Sequence, residues 1–177
     1  MTNRQRPYAR IVAALEEASR AAAEQEIDLF RIGRQREIII ADRLGHTLPR
    51  GRRKPLIDAL GPDGRKYSYL ASHVGKKAQL FLSGQTRSEQ QVGHGAIDGF
   101  VIAFFSEHDA CKVITIWEVA PQAIWREIQK QAHGRTNKVG RPQGAWFSEA
   151  WLKDLSVPQQ QDVTPEAKLV YRADGLI

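Results

Sequence analysis

Residues 97–105 read IDGFVIAFF, an almost unbroken apolar run that is typical of a central strand covered on both faces. The segment that follows it, residues 112–119 with the sequence KVITIWEV, alternates apolar and polar residues and predicts a neighbouring strand. Upstream, three shorter apolar segments predict further strands, at residues 56–60, 66–71 and 78–82. The stretch Gly61-Pro62-Asp63-Gly64 predicts a tight turn between the first two of them.

The N-terminal part of the chain has the periodicity of helices. Apolar residues recur at i, i+3 and i+4 over residues 8–24, which predicts an amphipathic helix. We expect Asp28 to cap a second helix that runs to about Leu44, where Gly45 is the predicted stop. These elements predict a mixed α/β domain built around one sheet.

The length of 177 residues suits one domain, predicted to span residues 1–157. Pro121 is predicted to begin a helix that ends near Gly134. The predicted parts are a helical N-terminal part, a sheet core, a C-terminal helical part and a polar tail, at residues 1–45, 56–119, 121–155 and 158–177.

Cysteine content and hydropathy exclude several classes of protein. Cys111 is the single cysteine, so an internal disulfide and a cysteine-rich zinc site are excluded. It opens an apolar strand and is expected to be a small core residue. The histidines match no zinc spacing, and loop histidines are expected to be solvated. Apolar runs are too short to cross a bilayer and residues 1–7 lack a signal-like apolar region, so we expect a cytoplasmic protein without membrane contact.

Positive charge is concentrated in two places. Lysine and arginine number 26 against 20 acidic residues, a net charge of +6. Residues 31–54 hold eight basic and two acidic side chains, and residues 126–142 hold five basic and one acidic. Such clusters favour a polyanion, because each neutralised phosphate releases counterions. The alternative is a solvated face that keeps the protein soluble.

Three polar segments are candidates for contact with nucleic acid. Arginine and lysine suit phosphates, whereas arginine, glutamine and asparagine also suit base edges in the major groove. The candidates are Arg50, Arg52, Arg53, Lys54, Gln85, Arg87, Arg135, Asn137, Lys138 and Arg141. A polar surface loop is the alternative for residues 83–91.

Residues 58–72, with the sequence DALGPDGRKYSYLAS, resemble the active-site hairpin of the PD-(D/E)XK nucleases, and most of all the short type II restriction endonucleases. In that family one strand supplies an aspartate, a glycine-containing turn follows, and the next strand supplies a carboxylate, a spacer and a lysine. The resemblance covers most of residues 29–155. It implies a restriction-endonuclease-like mixed central sheet flanked by helices, with a helical N-terminal segment, and double-stranded DNA as the partner.

The resemblance also implies a catalytic centre. Two carboxylates would hold Mg²⁺, which lowers the pKa of an attacking water, and the lysine would orient that water. Asp58 matches the first metal ligand, whereas Ser68 and Leu70 occupy the positions of the second carboxylate and the lysine. Some family members add an acidic group from the preceding helix, here Glu37. A different register makes Pro62-Asp63 and Glu89-Gln90-Gln91 the two halves of the motif.

These residues lead to three hypotheses. The first is a DNA-binding protein of the type II restriction endonuclease kind, with Mg²⁺-dependent phosphodiester hydrolysis impaired or completed by displaced residues. The resemblance implies a homodimer, in which the first two helices would contribute Val12, Leu15 and Ile38–Ile40. The second is a catalytically inactive DNA-binding or regulatory module on the nuclease scaffold. The third is a protein-interaction domain that uses Trp146, Phe147 and Trp151.

Overall fold

The fold is a mixed α/β domain with a five-stranded sheet. The computed structural model describes residues 9–29, 33–49, 57–81, 96–132, 144–158 and 164–174. The strands in chain order are β1 Ala59–Leu60, β2 Lys66–His73, β3 Ala78–Phe81, β4 Gly99–Phe105, β5 Val113–Val119, β6 Gly144–Phe147 and β7 Ala167–Arg172. The main sheet has the order β1-β2-β4-β5-β7, in which only β2 and β4 are parallel neighbours. Strands β3 and β6 form a separate antiparallel pair.

Four helices are described, and three of them cover the main sheet. They are α1 Ala9–Glu24, α2 Arg34–Leu44, α3 Pro121–Ala132 and α4 Glu149–Ser156. Helix α2 covers one face, here called the α2 face, through Ile40 and Ala41. Helices α3 and α4, with the β3–β6 pair, cover the other, here called the α3 face, through Ile124 and Leu152 among others. All seven residues of β4 are buried between these layers, which confirms the predicted central strand.

Helix α2 starts later than predicted. Asp28 lies outside any helix, and α2 begins at Arg34 after Gly33, whose φ of 80° is in the left-handed region. A left-handed residue cannot continue a right-handed helix, so Gly33 and not Asp28 fixes the start. The predicted stop is confirmed, because Gly45 has a φ of 65° and its neighbour His46 donates its N–H to the carbonyl of Ala41 at 2.9 Å.

Three predictions for the second half of the chain differ from the structure. The predicted tail at residues 158–177 contains β7, which pairs with β5 through Trp117 and Leu169. Ala167 is buried while Lys168 and Arg172 are exposed, so a one-sided edge strand looked like a polar tail in the sequence. The predicted helical part at 121–155 contains strand β6 as well as two helices. Cys111 is exposed in a turn before β5 and is not a core residue.

Candidate active-site hairpin

The turn between β1 and β2 forms as the sequence predicts. The N–H of Gly61 donates to the carbonyl of Arg65 at 2.8 Å, and Gly64, with a φ of 80°, donates to the carbonyl of Gly61 at 2.9 Å. Asp63 accepts the N–H of Arg65 on its Oδ1 at 3.0 Å. Asp63 is therefore a turn residue that shapes the hairpin.

The hairpin brings Asp58 and Ser68 side by side. The N–H of Asp58 donates to the carbonyl of Tyr67 at 2.8 Å, which fixes the register of the two segments. The Oδ2 atom of Asp58 accepts the N–H of Tyr69 at 2.8 Å and the hydroxyl of Ser68 at 3.3 Å. The first two positions of the nuclease-like motif are thus neighbours, and one oxygen of the carboxylate has two donors.

The third motif position belongs to the hydrophobic core. Leu70 is 7% exposed and packs on the α3 face in one cluster with Leu80 and Ile102. Ser68, 3% exposed, is two residues away in β2 and therefore faces the same side. Neither position supplies a charge. Within the described ranges, no group of three or more histidine, cysteine, aspartate or glutamate side chains is arranged to hold a metal ion.

The candidate extra carboxylate has a different local role. Glu37 lies on α2 and accepts Nη1 of Arg34 at 3.1 Å, and both side chains are largely buried. Helix α2 packs on the α2 face of the sheet, whereas Leu70 lies on the α3 face. Glu37 therefore forms an ion pair with Arg34 within α2, on the opposite face of the sheet from Leu70. The alternative second half of the motif, Glu89-Gln90-Gln91, lies outside the described residues.

The sequence did not predict a polar group that lies on the α2 face. It consists of His46, Arg65, Tyr67, Tyr69 and Glu118, and we call it the tyrosine cluster. The hydroxyl of Tyr67 donates to Oε1 of Glu118 at 3.3 Å, and Nη1 of Arg65 lies 2.8 Å from the same oxygen. The ring of His46 stacks on Tyr67 with centroids 4.5 Å apart, and its Nδ1 lies 2.8 Å from the hydroxyl of Tyr69.

Burial controls the ionisation of the tyrosine cluster. Burial, reinforced by the charge of Glu118, raises the pKa of Tyr67 to about 12. Burial followed by the charge of Asp58 also raises the pKa of Tyr69. Burial lowers the pKa of His46 below its ordinary value, although Glu118 opposes this shift. The two phenols and the imidazole are therefore neutral at pH 7.

Two glycines make room for the Tyr67 ring. A Cβ atom on Gly99 would lie 2.7 Å from Cε1 of Tyr67, and one on Gly61 would lie 2.9 Å from Cε2. Gly99 opens the apolar strand β4, and a glycine inside a strand often marks a close approach. That signal, together with the repeated tyrosines of β2, is what the sequence offers for finding this group.

The ten candidate DNA-contact residues all lie outside the described residues: Arg50, Arg52, Arg53, Lys54, Gln85, Arg87, Arg135, Asn137, Lys138 and Arg141. The attachment points of two of their segments are described. Phe81, the last residue of β3, pairs with Gly144, the first residue of β6. The residue before segment 82–95 therefore lies beside the residue after segment 133–143.

Two of the aromatic residues near the C-terminus, Phe147 and Trp151, pack within the protein. Phe147 is fully buried, and the ring of Trp151 lies 5.2 Å from it. The side chain of Gln131 forms hydrogen bonds with both backbone groups of Trp146. Its Oε1 accepts the N–H at 3.0 Å, and its Nε2 donates to the carbonyl at 2.8 Å. Internal packing therefore accounts for Phe147 and Trp151, two of the three aromatic residues behind the protein-interaction hypothesis.

No family model matches this chain, and no curated protein matches it in sequence. In the part of the chain that the structure describes, no helix has the length and apolar character needed to cross a membrane.

Proposed function

We propose that the chain is a restriction-endonuclease-like domain that binds double-stranded DNA without cutting it. The observation that carries this proposal is the state of the nuclease-like hairpin. Asp58 is bonded to Tyr69 and Ser68, and the lysine position holds the core residue Leu70. Two of the three chemical groups of the motif are missing from this hairpin.

The electrostatics of metal-dependent cleavage support the inactive form. A hydrolytic Mg²⁺ site holds the ion with carboxylates and uses it to lower the pKa of a bound water. Asp58 alone supplies one carboxylate, already engaged by two donors on Oδ2. Two other carboxylates are held by arginine side chains, since Glu118 is bonded by Arg65 and Tyr67, and Glu37 is bonded by Arg34.

The charge distribution supports DNA as the ligand. The net charge is +6, and residues 31–54 account for a local excess of the same size. The polar segment 82–95 follows Phe81 in the sequence, and the basic segment 133–143 precedes Gly144, the residue that pairs with Phe81. A duplex accepts phosphate contacts and base contacts together, which suits the arginine, lysine, glutamine and asparagine residues of these sequences.

Binding is tested by measuring the affinity for a short duplex while the salt concentration is raised from about 50 to 200 mM. We expect a steep loss of affinity, with a log–log slope of about −0.9 for each phosphate contact. The double change Arg52→Ala and Arg53→Ala should flatten the slope. The matched control, Lys76→Ala with Lys77→Ala, removes the same charge from an exposed turn and should leave the slope unchanged. Salt-independent or undetectable binding would refute DNA binding.

Cleavage is tested separately, with plasmid DNA and Mg²⁺ or Mn²⁺. We expect intact DNA with the original chain and with Asp58→Ala alike. Discrete fragments that disappear in Asp58→Ala, while circular dichroism shows that this variant is still folded, would show an active centre and would refute the inactive form while leaving DNA binding in place.

We further propose that the domain acts as a homodimer through α1. Ile11, Val12 and Leu15 form an exposed apolar stripe on this helix, with 58%, 48% and 44% of each residue accessible. A two-fold dimer would bury the stripe and match the symmetry of a duplex. Of the helix α2 residues expected in this interface, Ile40 is fully buried in its own core and is unavailable.

A further inference from the structure

We propose that His46 is a pH-sensitive latch, which holds the edge formed by Thr47 and Leu60 on the sheet while the imidazole is neutral and releases it on protonation. The latch is a property of the described α/β domain. Only its consequence for DNA, given below, rests on the proposed function.

One side chain joins three elements at this point. His46 directly follows Gly45, the end of α2, and its N–H bonds the carbonyl of Ala41. The next residue, Thr47, exchanges two backbone hydrogen bonds of 2.8 Å with Leu60 of β1. The His46 ring lies on β2, stacked on Tyr67 and bonded to Tyr69. Because β1 has only two residues, this edge has few other backbone bonds to hold it.

We assign the hydrogen of the neutral His46 ring to Nε2, so that Nδ1 accepts from Tyr69 and this hydrogen bond distinguishes the two states of His46. When the phenol donates to Nδ1 of the neutral ring, both groups are satisfied. Protonation places a hydrogen on Nδ1, so the phenol must turn its own hydrogen away. Among the hydrogen bonds of the described residues, this hydroxyl has no other acceptor, and Tyr69 is a buried residue. A buried donor without an acceptor destabilises the arrangement that holds it.

The charged groups around the His46 ring do not remove its preference for the neutral form. Glu118 and Asp63 favour the protonated imidazole and Arg65 disfavours it, while burial is the largest influence and lowers the pKa of His46. Tyr67 and Tyr69 both have raised pKa values and stay neutral. On α2, the neighbouring Asp42 and Arg43 face each other at 3.7 Å.

The sign of the pH dependence follows from the direction of the shift. The folded state prefers neutral His46, so the latch contributes full stability above the ordinary pKa of 6.5. This stability is lost as the pH falls below 6.5 and through the lowered pKa of the folded state.

The position of the latch gives it a consequence for the ligand. The sequence after Leu48 and Pro49 enters the basic segment that begins at Arg50. If that segment contacts DNA as proposed, release of the Thr47–Leu60 edge removes its fixed starting point. Acidic pH then weakens DNA binding through His46, in addition to any general effect of pH.

Amide hydrogen exchange followed by NMR tests the latch without DNA. Protection factors for Thr47 and Leu60 should fall roughly two- to fivefold between about pH 7.5 and about pH 5.5, relative to the central β4 amide of Ala103. In His46→Gln, which keeps a polar side chain that does not titrate, the relative protection should not change with pH. In Tyr69→Phe, which removes the hydrogen bond to Nδ1, the change of relative protection with pH should be smaller than in the original chain.

If the protection of Thr47 and Leu60 in the original chain did not change with pH, or if the pKa of His46 were at or above 6.5, the proposal would be overturned. A second arm measures duplex affinity at the same two pH values, where His46→Gln should lose less affinity than the original chain. If the chain binds no duplex at either pH, the proposed function fails, and the exchange experiment still decides the latch.

Discussion

Asp58 and Tyr69 are joined across the hairpin by a hydrogen bond of 2.8 Å from the Tyr69 N–H to Oδ2. This bond makes the aspartate a structural acceptor as well as a candidate ligand. Asp58→Ala should lower the free energy of unfolding by about 1–3 kcal/mol, because it leaves the Tyr69 N–H and the Ser68 hydroxyl without this acceptor. Asp58→Asn keeps an amide oxygen and should cost less. Urea denaturation measures both, and equal losses would contradict the acceptor role.

Leu70 should not tolerate the lysine that the nuclease motif has at this position. Leu70→Lys places an ammonium group in the core of the α3 face and should destabilise the domain by about 3 kcal/mol or more. Leu70→Met keeps the volume and the apolar character and should cost less than about 1.5 kcal/mol. A stable lysine variant that gains Mg²⁺-dependent cleavage when combined with Ser68→Glu would show that this position opens onto a catalytic site.

Gly99→Ala should displace the ring of Tyr67. The new Cβ would lie 2.7 Å from Cε1, so the ring or β4 must shift, at a cost of about 1–3 kcal/mol. Combined with Tyr67→Val, the glycine change should cost much less, because the obstructing ring is gone. A double-mutant cycle by urea denaturation measures this coupling. Additive costs would mean that the ring does not set the requirement for glycine.

Tyr67 should ionise late in an alkaline titration. Its pKa of about 12 in the folded state, against 10.0 for an unperturbed tyrosine, favours the neutral phenol. Its contribution to stability is therefore complete below pH 10 and is lost as the pH rises through 12. Ultraviolet difference absorbance of the original chain against Tyr67→Phe isolates this group. A phenolate transition near pH 10 in that difference would contradict the predicted burial effect.

Leu15→Glu should prevent self-association through α1. A charge in the middle of the exposed apolar stripe opposes its burial against a second copy. Ala13→Glu adds the same charge beside Glu16 and Glu17, away from the stripe, and should leave association unchanged. Sedimentation velocity at micromolar concentration measures the mass. A monomeric original chain would refute the α1 dimer.

The sequence predicted the parts of the fold whose pattern is local. The apolar run of β4 and the turn at Gly61–Gly64 carry their own signals, and both are confirmed. Asp58 and Ser68 lie side by side because a tight hairpin fixes which residues face each other.

Features set by tertiary contacts were not predictable in the same way. Asp28 has the chemistry of a helix cap, yet the left-handed Gly33 decides where α2 begins. Burial of Leu70 depends on β3 and on two helices distant in sequence, so the spacing of the motif does not reveal it. His46 looked like a solvated loop residue, because its partners Tyr67 and Tyr69 lie more than twenty residues further along the chain.

Strand β7 has a consequence for how the chain is made. It follows all of its sheet partners in sequence, yet it covers the outer edge of β5. During synthesis, β5 therefore leaves the ribosome long before the strand that protects it, with backbone groups and the side chains of Trp117 and Val119 incompletely covered. A chain that ends before residue 167 would lack β7 and leave the outer edge of β5 unpaired, which favours aggregation with other chains.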